Sequence, residues 1–172
     1  VERNKKIAIR GVNGLGKTTL LKTILGLLKP VSGELVKGDF LEVGYFAQED
    51  APSNSETALD YIWNEYPAMT NAEVRAALAR CGLSNEHITS QMRVLSGGEN
   101  AKVRLCKLMQ KKYNVLVLDE PTNHLDIHAK DELARALRDF KGTIVLVSHE
   151  PEFYESWITD IWNIEDWTTK IV

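Results

Sequence analysis

No stretch of this sequence comes near the roughly 20 consecutive apolar residues that a membrane-spanning helix needs. There is no secretory leader pattern either, because charged residues lead straight into a strand at Lys6-Ile7-Ala8-Ile9-Arg10. Cysteine is scarce. Cys81 and Cys106 are the only two, and both fall in helical patterns without metal-ligand spacing. They read as reduced core thiols of a cytosolic protein. An excess of basic charge is missing too: 21 Lys and Arg face 24 Asp and Glu, a net charge of −3. That argues against a strongly basic nucleic-acid module, while leaving room for a locally basic face. Internal repeats and low-complexity tracts are absent. So is an initiator methionine, and the chain reads as a piece of a longer one.

What is present fits one domain. The 172 residues suffice for a real core, and 44% hydrophobic with 26% charged residues is ordinary for a globular protein. Apolar strand patterns occur at Ile7–Ile9, Leu35–Val36, Val43–Phe46, Val115–Leu118, Thr143–Val147 and Ile161–Ile164. The Val115 run is continuous, as expected of a strand buried on both faces. Helices are expected from Lys17 to Leu28, stopped by Lys29-Pro30, and after Gly97-Gly98 with Ala101, Leu105, Leu108 and Met109 inward. Another has Leu133, Ala136, Leu137 and Phe140 on one face. Strands alternating with helices imply a mostly parallel α/β sheet. Between Ser53 and Ile88 the alternation is broken by two helical patterns. Ser53 with Glu56 and Thr70 with Glu73 are candidate capping boxes, and Gly82 is a stop. Trp63 and Tyr66 sit on the apolar stripe as core residues.

Three motifs carry chemistry. Gly11-Val12-Asn13-Gly14-Leu15-Gly16-Lys17-Thr18, followed by Thr19, matches G-x-x-x-x-G-K-S/T between a strand and a helix. Backbone N–H groups of such a loop nest around phosphates. Lys17 offers a point charge to the β and γ oxygens, and the Thr18 hydroxyl a ligand to magnesium. The strand Val115–Leu118 ends in Asp119-Glu120, at the sheet edge where open α/β sheets place ligands. A buried acidic pair calls for a cation, so Asp119 fits as a magnesium partner through water and Glu120 as the base. His149 follows the strand Thr143–Val147 at the same edge, a candidate γ-phosphate sensor. The third motif is Leu95-Ser96-Gly97-Gly98-Glu99, a second glycine-rich turn opening a helix.

Together these residues resemble the nucleotide-binding domain of the ATP-binding cassette (ABC) superfamily over nearly the whole chain. Gly11 to Thr18 is similar to its Walker A motif, Gln48 to the Q-loop glutamine, and Val115 to Glu120 to the Walker B strand with its catalytic glutamate. Leu95 to Glu99 resembles the signature motif, Leu125 and Asp126 the D-loop, and His149 the switch histidine. The resemblance implies a P-loop NTPase fold. Its ATP-binding core would be residues 1–49 and 99–172, with a helical signature subdomain over 50–98. It also implies Gln48 as a further magnesium contact, alongside Thr18 and Asp119. Ser96, Gly97, Gly98 and Glu99 would contact the ATP held by a second cassette. Full Mg-dependent ATPase activity would then need two cassettes around two ATP molecules.

Pro121-Thr-Asn-His-Leu-Asp126 and Tyr45-Phe46-Ala47-Gln48 are similar to the ABC-F class, with an expected C-terminal place in a tandem pair. That class implies a cytoplasmic ribosome-associated translation factor or antibiotic-resistance protein. The alternative is the ATPase subunit of a membrane transporter; transporter ATPases more often carry Ser-Ala where Asn123-His124 stands. A catalytically dead nucleotide-sensing scaffold is a third reading, opposed by Lys17, Asp119, Glu120 and His149. Two departures from the family pattern stand out. Glu150-Pro151-Glu152-Phe153 lacks the arginine that often follows the histidine. The strands ahead of Ile7, which in the family carry an aromatic residue that stacks on adenine, are expected to be missing. This piece should therefore bind ATP more weakly than a whole cassette.

Overall fold

The computed structural model describes residues 1–47 and 55–167. In chain order the elements are β1 (Lys6–Arg10), α1 (Lys17–Ile24), β2 (Val43–Phe46), α2 (Ala58–Trp63), α3 (Asn71–Arg80), α4 (Asn85–Thr89) and α5 (Gly97–Met109). There follow β3 (Val115–Asp119), α6 (Ile127–Asp139), β4 (Thr143–Val147), α7 (Pro151–Tyr154) and β5 (Asp160–Asn163). They divide into two compact units. One takes Val1–Gln48, Tyr113–Pro121 and Ala134–Val172, the other Glu49–Lys112 and Thr122–Leu133.

The first unit is a parallel α/β sheet of five strands in the order β2-β3-β4-β1-β5. β4 is buried along its whole length, which explains its unbroken apolar sequence. Ile9, Leu21, Val117, Val145, Val147 and Ile164 form the core that packs α1 on the sheet. Strand register sets the functional edge. Val147 lies opposite Ile9 on one side and Asp119 on the other, so the segments after β1, β3 and β4 emerge at one level.

Two local expectations are corrected here. Helix α1 stops at Ile24 rather than Leu28, because Gly26 adopts a φ of 77°. Gly26 N–H donates to Thr23 O and Leu27 N–H to Lys22 O, a Schellman ending that precedes the proline. Leu35–Val36 joins no ladder among the described residues. Val36 is 80% exposed, so the two-residue apolar signal found no sheet face to cover.

The second unit is helical. Ala58, Leu59, Ile62, Val74, Ala77, Leu78, Val103 and Cys106 belong to its buried core, with Trp63 and Tyr66 packed against it as expected. Thr70 and Glu73 form a capping box at α3. Ser53 lies outside the described residues; α2 is capped by Thr57, whose Oγ1 accepts from Asp60 N–H at 3.1 Å. The inward stripe of α5 is Asn100, Ala101, Val103 and Cys106, and Met109 is exposed. Ala101 is buried as expected and Leu105 and Leu108 are half-buried, so of the expected face only Met109 turns outward, while Asn100 and Val103 were not foreseen. No described helix is long and apolar enough to cross a membrane.

Candidate functional site

The sheet unit brings most of the expected site together at one edge. Gly14 and Gly16 hold φ of 85° and 82°, which lets the loop turn tightly into α1. No side chain caps α1 and no acid lies in its first turn. Its positive end is thus left for an anion. Lys17 is 8% exposed, and its Nζ donates to the carbonyls of Gly11 at 2.8 Å and Val12 at 3.1 Å. The ammonium is therefore held over the loop that a triphosphate would occupy. Asn13 and Thr19 are exposed, Leu15 and Thr18 half-buried. Val12 N–H is taken by Glu165 Oε1 at 3.1 Å. Sequence reasoning missed Glu165, because nothing in a motif foretells a partner at the far end of the chain.

Asp119 is fully buried, and neither carboxylate oxygen makes a well-formed hydrogen bond. Burial pushes its pKa up; the neighbouring Thr18 hydroxyl, Lys22 and Lys17 pull the other way. A buried acid beside a threonine hydroxyl and two ammonium groups fits a cation-bound phosphate site. Magnesium commonly takes one or two carboxylates and fills the rest of its shell with water and phosphate oxygens. Among the described residues no cluster of three His, Cys, Asp or Glu could hold a metal by itself.

Glu120 is the strained residue of the edge. It sits at φ 49°, a left-handed conformation that a non-glycine residue holds only when its surroundings impose it. Its N–H donates to Val147 O at 2.9 Å. One residue meets its carboxylate at both oxygens: His149 N–H donates to Oε2 at 3.3 Å, and His149 Nε2 lies 3.2 Å from Oε1, which has no hydrogen-bond partner. Burial raises the Glu120 pKa, the His149 imidazole and N–H lower it, and the Asp119 charge raises it. Strand register thus delivers the expected base and the expected sensor into direct contact. Gln48 lies outside the described residues.

In the helical unit, Leu95–Glu99 forms a separate, self-satisfied turn. Ser96 Oγ accepts from Glu99 N–H at 3.3 Å, while Glu99 Oε2 accepts from Ser96 N–H at 2.7 Å. His87 Nε2 lies 3.1 Å from Glu99 Oε1. Asn100, 3% exposed, donates its amide to the carbonyls of Met92, Leu95 and Ser96 at 3.1, 3.1 and 3.2 Å. Asn100 went unnoticed in the sequence, although a polar residue on the inward face of an amphipathic helix was the available clue.

The segment containing Leu125 and Asp126 lies against the same helix. Asp126 Oδ2 meets Lys102 Nζ at 3.0 Å, and Leu125 is buried. His124, at φ 67°, covers both glycines. A Cβ on Gly97 would lie 2.9 Å from His124 Cγ, and one on Gly98 would lie 2.5 Å from His124 O. The glycine pair is therefore required by close packing, independently of any ligand.

Comparison with known proteins agrees with this geometry. The family model described as ABC transporter matches residues 1–123. The chain is 55% identical over 172 residues to an uncharacterized ABC transporter ATP-binding protein, YfmM, of Bacillus subtilis, covering all of this chain and 33% of that protein. It is 38% identical over 169 residues to ABC transporter F family member 5 of Arabidopsis thaliana, covering 96% of this chain and 24% of that one. It thus spans a third or less of these relatives. Among solved structures, a dimeric bacterial ABC transporter cassette matches with a TM-score of 0.75 at 21% identity, covering 95% of this chain and 83% of that chain. That likeness supports the fold.

Proposed function

The chain belongs to the ABC transporter family, as an ATPase domain similar to those of ABC-F proteins, and on that premise we propose that its sheet edge binds and hydrolyses Mg-ATP. The observation that carries the proposal is the contact between Glu120 and His149 beside Asp119, at the level where the Gly11–Thr18 loop emerges.

The triphosphate docks on the loop N–H groups of Gly11 to Thr19 and on the bare N-terminus of α1. Lys17 exchanges its two carbonyl partners for β- and γ-phosphate oxygens. Thr18 directly, Asp119 through water, and Gln48 would hold a magnesium ion, which would supply charge neutralisation at the phosphates. Glu120 accepts the proton of the attacking water as its oxygen bonds to the γ-phosphorus, and ADP departs. Burial favours this role by raising the basicity of Glu120 above that of a solvated carboxylate. His149 orients the carboxylate through its backbone N–H, with its Nε2 close to the other oxygen.

Ser96, Gly97, Gly98 and Glu99 serve the ATP of a second cassette, with Leu125 and Asp126 at the same interface. This chain's own nucleotide awaits the equivalent turn of its partner. Turnover by the chain alone is then low and rises with protein concentration. The biological setting that fits is a cytoplasmic, ribosome-associated ABC-F protein, a translation factor or an antibiotic-resistance protein. Asn123-His124 within Pro121–Asp126 supports that assignment.

The test is Glu120→Gln. Phosphate release should fall by about 10²–10⁴-fold while ATP stays bound; unchanged turnover would remove Glu120 from the role of base. Co-sedimentation with ribosomes rather than membranes separates the ABC-F setting from a transporter subunit.

A further inference from the structure

The phosphate loop is held at its first peptide by a residue more than 150 positions away in the chain. β5 pairs with β1 so that Arg10 lies opposite Asn163, which carries Gly11 and Ile164 off the sheet side by side. A Cβ on Gly11 would lie 3.5 Å from Ile164 Cβ, and Ile164 is buried with Ile9 and Val147 in the core under α1. The 3₁₀ turn Ile164–Trp167 continues from there. Its last residue, Trp167, meets Trp162 of β5 with ring centroids 5.5 Å apart, so the turn is anchored at both ends. Between those anchors, Glu165 Oε1 accepts from Val12 N–H at 3.1 Å.

The group so held is the Gly11–Val12 peptide, and it is held at both ends. Its carbonyl, Gly11 O, accepts from Lys17 Nζ at 2.8 Å, while its N–H donates to Glu165. We infer that Glu165 is a positioning residue for nucleotide binding: it fixes the Gly11–Val12 peptide when Lys17 turns from that carbonyl to the phosphates. The inference rests on the proposed binding of Mg-ATP at this edge and narrows it. Val12 N–H belongs to Glu165, and the N–H groups further along the loop are left for phosphate.

Charge separates this role from direct contact with the nucleotide. A carboxylate beside the loop repels a triphosphate, so Glu165 is not placed there to attract one. Glu165 is exposed, and solvent keeps that repulsion small. What the carboxylate supplies is an acceptor. In the empty loop the Lys17 ammonium and the Glu165 carboxylate polarise one amide from opposite ends, and each bond strengthens the other. Once the ammonium moves to the phosphates, only the Glu165 bond restrains this peptide, and Gly11 beside it resists rotation weakly. A loop already ordered has less freedom to lose on binding. The benefit therefore falls on nucleotide affinity rather than on the chemical step.

Mg-ATP titrations of the wild-type chain, Glu165→Ala and Glu165→Gln test this. Glu165→Ala should bind about 3–10-fold more weakly, the scale of one partly exposed hydrogen bond. Glu165→Gln, whose amide oxygen still accepts, should stay within about twofold of wild type. In turnover, the Glu165→Ala loss should fall on KM rather than kcat, a split that general loosening of the fold would not give. Wild-type affinity in Glu165→Ala, or a Glu165→Gln chain as weak as Glu165→Ala, overturns the role. Amide hydrogen exchange on the nucleotide-free wild type decides the matter even if Glu165→Ala fails to fold. Val12 N–H should exchange at least about tenfold more slowly than an unprotected amide, and an unprotected rate would remove the bond. A wild-type chain that binds no Mg-ATP overturns the proposed function and this role with it, whereas equal binding by wild type and Glu165→Ala overturns this role alone.

Discussion

Two helix N-termini in this molecule face opposite electrostatic situations. Helix α1 starts at Gly16 with no side-chain cap, no acid in its first turn, and an ammonium held above it by Lys17. Helix α5 starts at Ser96 with a complete capping box, and its own Glu99 occupies the positive end. Beside α1 stand buried acids with raised pKa values and a glutamate at φ 49°. Around α5 the Asn100 amide donates to three carbonyls, and Glu99 stays low in pKa through the Ser96 N–H, the Ser96 hydroxyl and His87. The α1 site is unfavourable until a ligand arrives, whereas the α5 turn supplies its own cap and leaves only the Asn100 Oδ1 behind it without a hydrogen-bond partner. The difference matches their proposed uses. A site that grips nucleotide tightly gains from unsatisfied groups, while a turn that only closes over another cassette's nucleotide must keep its shape unaided.

The sharpest way to break the comparison is to crowd the α5 turn. Gly98→Ala places a Cβ 2.5 Å from His124 O, a backbone atom that cannot swing aside. Stability should fall by about 2–3 kcal/mol, as for other overpacked sites. Denaturant unfolding measures this, and a change within a few tenths of a kcal/mol would show that His124 does not hold the turn.

Asp119→Asn probes the α1 side. Because the folded state raises the Asp119 pKa, it holds that proton more tightly than the unfolded chain does. The stability that follows is full below the ordinary carboxylate range and is lost as pH rises through the folded pKa. The substitution should therefore raise Tm at neutral pH and lose that advantage at acid pH. It should also weaken magnesium affinity by about 10–100-fold, since an outer partner of the ion is removed. Thermal melts at two pH values and a magnesium titration of turnover report both effects.

The smallest effect is expected at Glu99→Gln. Glutamine can still reach back to the Ser96 N–H, so stability near pH 7 should change by only a few tenths of a kcal/mol. The pH dependence should differ. Glu99 has a lowered pKa, so its contribution is present above the ordinary carboxylate range and is lost as pH falls through the folded value. Wild type should weaken on acidification more than the variant does, as followed by circular dichroism melts. A large loss at neutral pH would mean that the negative charge itself, rather than the reciprocal cap, holds the turn.

Local chemistry was legible in the chain alone. The loop Gly11–Thr18, the acids after Leu118 and the stop at Gly82 follow from short-range rules, because each motif carries its own backbone requirements within a few residues, whereas the Gly26 ending of α1 went unread. The buried strands β3 and β4 were legible for a similar reason, since unbroken apolar runs have few alternatives. Leu35–Val36 and the outward turn of Met109 were not, because two or three apolar residues do not say which surface will cover them.

Long-range contacts were decided only in three dimensions. The register Ile9–Val147–Asp119 sets His149 on Glu120, and closure of the chain brings Glu165 to Val12. Packing of α3 on α5 sets Cys81 against the cluster that buries Cys106, and the turn at His124 makes Gly97 and Gly98 obligatory. The sequence by itself determined which groups are proposed to hold phosphate, metal and proton, since that proposal rests on residue type and local spacing. The tertiary structure decided which of those groups touch, which are strained and which are shielded from water, since these depend on partners that the chain reaches only by folding.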